Sequence, residues 1–127
     1  MKKLILLLIA IPILAGLFFP VAYAGEIKLI VKNFQCTEED KIIVEYGLIN
    51  TFGFEYNNVT LGFKLVEEGK SIACNQTKVI VPKGADGTEI KELTITVPCA
   101  GKNLNLETAA FYYVKKYKID EWFSDCN

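Results

Sequence analysis

Four side chains could do chemistry together: Cys36, Cys74, Cys99 and Cys126. An even number of cysteines in a small exported chain reads as two disulfides. A zinc site is the competing use of four thiols, but no Cys-x-x-Cys pair is present to build one. Other reactive groups are scarce. Histidine is absent, which removes the usual general base near neutral pH, the Ser-His and Cys-His nucleophile pairs and imidazole metal ligands. Arginine is absent as well, and the lysines are scattered, so no nucleic-acid surface is expected. Glu38-Glu39-Asp40 gathers three carboxylates without ligand spacing or a loop glycine, the mark of a solvated turn. No spacing singles out an acid/base pair among fifteen carboxylates, so the chain is read as no enzyme, with no cofactor and no metal.

The compartment follows from the start of the chain. Met1-Lys2-Lys3 precedes an uncharged apolar run, Leu4–Phe19, and the small residues Ala22 and Ala24 flank Tyr23. A basic start, an apolar middle and an Ala-x-Ala site make a secretory signal, 1–24, with cleavage expected after Ala24. An uncleaved anchor is the alternative and would bring in a membrane. Residues 25–127 then form one domain in which twelve lysines face fifteen acids, a net charge of −3.

Strands must position the cysteines. Glu26–Lys32 alternates Ile27, Leu29 and Val31 against Lys28, Ile30 and Lys32, and a loop is expected over Asn33–Asp40. Lys41–Asn50 places Ile42, Val44, Tyr46 and Leu48 on one face. Asn58–Val66 alternates most cleanly, with Val59, Leu61, Phe63 and Leu65 opposite Thr60, Gly62, Lys64 and Val66, the pattern of a half-buried antiparallel strand. A long strand is expected over Glu107–Ile119, with a short last strand in the tail. Six or seven short strands separated by turn signals predict an all-β, two-layer antiparallel sandwich.

Between Cys74 and Cys99, two β-rich runs flank Pro82, Gly84 and Asp86-Gly87. Asp-Gly between apolar strands is a strong hairpin signal. Counting outward from that turn brings Cys74 opposite Cys99 at a site a disulfide can span. The hydrophobic phase of the two arms requires a bulge near Ile90–Glu92 and another near Asn75-Gln76 to keep this pairing. The expected bonds are therefore Cys74–Cys99 and, by elimination, Cys36–Cys126.

The order Asn50-Thr51, a short loop, Asn58-Val59-Thr60-Leu61, the turn Glu67–Lys70 and Val79-Ile80-Val81-Pro82-Lys83-Gly84 resembles the immunoglobulin-like, fibronectin-III-like β-sandwich modules of bacterial and archaeal surface proteins, of the CARDB and FxLYD type. The resemblance covers roughly residues 41–98. It implies a non-catalytic adhesion, spacer or docking module, and no catalytic residue is carried over.

Phe111, Tyr113 and Tyr117 fall on one face of the expected last strand, and with Trp122 and Phe123 they form a candidate patch for a protein or a glycan of the cell surface. Asn58 and Asn75 head Asn-x-Thr glycosylation sequons. The functional expectation is an exported interaction module. The alternatives are a self-associating filament or surface-layer subunit joined by strand addition, with the segment after the cleavage site swinging into a neighbour, and a secreted inhibitor.

Overall fold

The computed structural model describes residues 25–126; the expected secretory signal, 1–24, lies outside them. Among the described residues there are six strands, β1 (Ile27–Cys36), β2 (Lys41–Asn50), β3 (Tyr56–Glu67), β4 (Lys70–Val81), β5 (Lys91–Thr96) and β6 (Asn105–Phe111), followed by a two-turn helix, α1 (Lys116–Trp122). They form two antiparallel three-stranded sheets, ordered β1-β2-β5 and β4-β3-β6. The expected β-sandwich with two disulfides is what the chain forms.

Period-two alternation decides what lies between the sheets. From β2, Ile42, Val44, Tyr46 and Leu48 point inward and are buried; from β3, Val59, Leu61, Phe63 and Leu65 are fully buried. Ile27, Val81, Ile95, Val97 and Cys99 complete the core, and the Tyr46 ring packs on Phe63 with centroids 5.3 Å apart. β1 runs further than expected, because Asn33–Cys36 continues to pair with β2 beyond a register shift after Val31. Glu68 and Gly69 both take positive φ (51° and 83°), as a tight turn between twisted strands requires, and join β3 to β4 as a hairpin.

The region expected to be a hairpin around Asp86-Gly87 is instead a crossing. β4 pairs with β3 and β5 with β2, so residues 82–90 carry the chain from one sheet to the other. Asp86 bridges to Ile49, and its carboxylate accepts hydrogen bonds from the amide and hydroxyl of Thr88. No bulge is needed: the register is unbroken from Ala73 to Val79 and throughout β5.

The disulfides are Cys36–Cys99 and Cys74–Cys126, which corrects both expected pairings. The reason is parity. Cys74 lies opposite Lys64 and has the phase of Lys78, so it faces outward from the second sheet. Cys99 follows Ile95 and Val97 inward and is 2% exposed. Two side chains on different sheets, one outward and one inward, have no route to each other. Cys36–Cys99 joins the ends of the outer strands of the first sheet, where Asp40 accepts from the Val97 and Cys99 amides through its carbonyl and carboxylate.

The expected long last strand stops at Phe111. Tyr113 takes φ 55°, a left-handed conformation that breaks the ladder, and residues 116–122 turn helical instead of adding a strand. This tail lies over the outer face of β3. That face was expected to be the solvated side of a half-buried strand, yet Thr60, Lys64 and Val66 are buried there. Gly62 makes the contact possible, since a Cβ at that position would sit 2.6 Å from the Trp122 ring and 2.9 Å from Phe123.

Candidate interaction surface

Buried Asn50 organises one end of the sandwich. Its side-chain amide donates to the carbonyls of Phe54 (3.0 Å), Val81 (3.2 Å) and Pro82 (3.2 Å), and its Oδ1 accepts from the Phe52 amide (2.8 Å). One side chain thus ties the β2–β3 loop to the end of β4. The Thr51 amide, donating to the Glu26 carbonyl, adds a second tie, while a Cβ on Gly53 at the tip would meet nothing. Fixed in this way, the loop presents Phe52 and Phe54 beside Tyr56 at the start of β3 and Tyr112 just past β6.

The four rings form a connected cluster. Phe52 lies 5.2 Å from Phe54, 5.2 Å from Tyr56 and 5.8 Å from Tyr112, and Tyr56 and Tyr112 meet edge-on at 5.7 Å. These separations suit favourable aromatic pairing. Phe54 is 55% exposed and Tyr113, next to the cluster, is 95% exposed. Burial raises the Tyr56 pKa, and the neighbouring Tyr113 and Tyr112 hydroxyls add to the rise, so Tyr56 stays a neutral hydrogen-bonding phenol at physiological pH. The chain enters the domain here too, with Gly25 against the Phe52 ring.

The five aromatics expected to form one patch are divided. Phe111, Trp122 and Phe123 are half-buried against one another, with Trp122 and Phe123 at 4.8 Å and Phe111 and Trp122 at 5.7 Å, and they cap β3. Tyr113 and Tyr117 are exposed, Tyr113 at the aromatic end and Tyr117 on α1. Under the cap, buried Lys64 places its ammonium 4.1 Å from the Trp122 ring and 3.0 Å from the Asp125 carboxylate, which also accepts from the Ser71 hydroxyl at 2.7 Å. The Ser71 hydrogen bond, then that of Lys64, holds the Asp125 pKa below the usual aspartate range. Cys126 follows directly and bonds to Cys74, so ion pair and disulfide close one latch.

Asn58 is exposed on β3 and Asn75 half-buried on β4. Cys36, Asp40 and Cys99 bring two sulfurs and a carboxylate within 4.8 Å of one another, but both sulfurs are spent in the disulfide and offer no thiolate to an ion. Asn50 and Lys64 were not visible as functional positions in the sequence. Gly62 was the available signal, because a glycine inside an alternating strand marks a close approach.

No protein-family model, no curated protein and no solved structure matches the chain. The reading of its role therefore rests on its own geometry.

Proposed function

We propose that the chain is an exported, non-enzymatic binding module that meets a protein or glycan of the cell surface through its aromatic end. The observation that carries this is the loop held by Asn50. A buried polar group is committed to fixing a loop whose phenylalanine points into water, and a pre-ordered aromatic surface binds with a smaller entropy cost than a mobile one. Two disulfides in a domain of this size suit an oxidising compartment. The strand order supports the resemblance to immunoglobulin-like and fibronectin-like modules: β1-β2-β5 matches their A-B-E sheet, and β4-β3-β6 matches C′-C-F.

Binding of the exported chain to isolated envelopes of its source cells tests this. The double variant F54S/Y113S, altered only at exposed rings, should bind at least about tenfold more weakly. Unchanged binding overturns the reading. Pretreating the envelopes with protease or with periodate then separates a protein partner from a glycan.

A second reading, a self-associating subunit joined by strand addition, is favoured by a different observation. The outer side of β6, where a G strand would lie, has no strand hydrogen-bonded to it among the described residues. The first strand, by contrast, is engaged with β2 along its length.

A further inference from the structure

A sandwich of two three-stranded sheets has four outer strands, and three of them are guarded. β1 carries Lys28, Lys32 and a register shift. β4 carries Lys70 and Lys78, with Cys126 bonded at its middle. β5 is six residues long and opens with Lys91-Glu92. Lysines, bulges and short length are the usual devices against edge-to-edge pairing. β6, Asn105-Leu-Glu-Thr-Ala-Ala-Phe, has no lysine, no proline and no shift in register, and its one charge is Glu107. The chain could have covered this edge itself. Instead, the left-handed turn at Tyr113 and the Cys74–Cys126 bond lead the tail across the face of β3.

We propose that the outer edge of β6 pairs with β6 of a second copy, antiparallel about a two-fold axis through Thr108. This rests on the self-association reading and names its surface. The register is argued from side chains. Pairing with β3 sets Leu106, Thr108 and Ala110 inward and Asn105, Glu107, Ala109 and Phe111 outward. A two-fold at Thr108 sets Leu106 opposite Ala110 and Thr108 opposite itself, so inward residues meet inward residues and both cores continue across the join. Glu107 falls opposite Ala109, so the only charge on the strand does not meet its own copy, and Thr–Thr is a favourable cross-strand pair. Leu106 and Ala110 are only half-buried in the protomer, and the join covers them. The product is one six-stranded antiparallel sheet, ordered β4-β3-β6-β6-β3-β4. Its interface is isologous, so it closes as a dimer and not as a fibre.

The same geometry supplies the test. A109E sets a carboxylate opposite Glu107 of the partner twice, and A109K sets an ammonium there twice, while the two variants burden the half-exposed Ala109 site with side chains of similar length. Light scattering during size exclusion of the full chain, as released by an oxidising host compartment, should show twice the protomer mass at high concentration. The dissociation constant should rise roughly fivefold in A109E and fall roughly fivefold in A109K. Hydrogen exchange should show alternate β6 amides slowing as concentration rises. Assembly in which both variants shift the same way, or in which β6 exchange is independent of concentration, overturns the β6 pairing and leaves self-association by another surface. A strict monomer at the highest soluble concentration overturns both.

Discussion

At the scale of single residues, Asn50 does what no apolar side chain of its volume could. Its amide serves three carbonyls from two segments and its oxygen one amide, and among the described residues no buried side-chain nitrogen or oxygen lacks a partner. Removing it leaves buried carbonyls unserved, which costs the desolvation of each group as well as the lost bond. N50A is therefore expected to destabilise the domain by about 2–3 kcal/mol in a urea titration. N50D should do no better, because a carboxylate cannot donate to the Phe54, Val81 and Pro82 carbonyls. Little of this was legible beforehand. Asn50 sits at the end of a strand whose apolar phase is plain, and asparagine at a strand end is a common turn residue whether it faces inward or outward.

At the scale of elements, alternation predicted each arm of the expected hairpin as a strand correctly and its partner wrongly. Asp86-Gly87 carries a sound local turn signal, and Gly87 does take φ 86°, but the turn lies inside a crossing between sheets. The conflict of phase between Lys78 and the valines 79 and 81 was the physical clue. It disappears once β4 pairs with β3, where Val59 meets Val79 and Lys78 faces out. Long-range pairing decides such cases: period-two patterning can speak against a partner, as here, but does not name the right one. The C-terminal latch is not legible in the sequence for a related reason: a tail of seven helical residues has too few turns to show a period.

The latch makes two expectations. C74S/C126S frees the tail at the cost of about 4 kcal/mol in the chain-entropy picture of a loop this long. The emission of Trp122 should move to longer wavelength in that variant while the far-ultraviolet β signal persists. Acid should loosen the tail of the same variant further. The Asp125 pKa is lowered in the folded chain, so its contribution is fully present above the ordinary aspartate pKa and is lost as pH falls through the lowered value. The effect therefore lies below the ordinary aspartate pKa, and because Asp125 is solvent-exposed it weakens in high salt. A pH titration of Trp122 emission checks it, and D125N should flatten the curve.

At the scale of the whole molecule, the sandwich is built from distant pairings. β2 finds β5 across about fifty residues, and β3 finds β6 across a similar span. Closing such loops before contacts form is slow, so refolding of the oxidised chain is expected in milliseconds to seconds, read by stopped-flow tryptophan fluorescence. A microsecond phase carrying the whole amplitude would contradict this. Class and layer count were legible in composition and alternation because every strand of a two-layer sandwich shows one dry face. Which strands share a sheet depends on the crossing at residues 82–90, whose sequence reads equally well as a return.

The two disulfides also fix how the module would carry a load. Cys36–Cys99 stays within the first sheet and Cys74–Cys126 ties the tail to the second, so among the described residues no disulfide joins one sheet to the other. Tension applied between Gly25 and Cys126 would pass along eleven residue steps to Cys36, cross to Cys99, and run twenty-seven more steps to the end. The Cys74–Cys126 bond sets the Cys74–Cys99 stretch beside that last one at nearly equal length, so residues 37–73 are the part shielded from full extension. The oxidised chain can lengthen to only about 130 Å, at roughly 3.5 Å per step, before covalent bonds bear the force. Under load, the oxidised chain would stretch a short way and then hold.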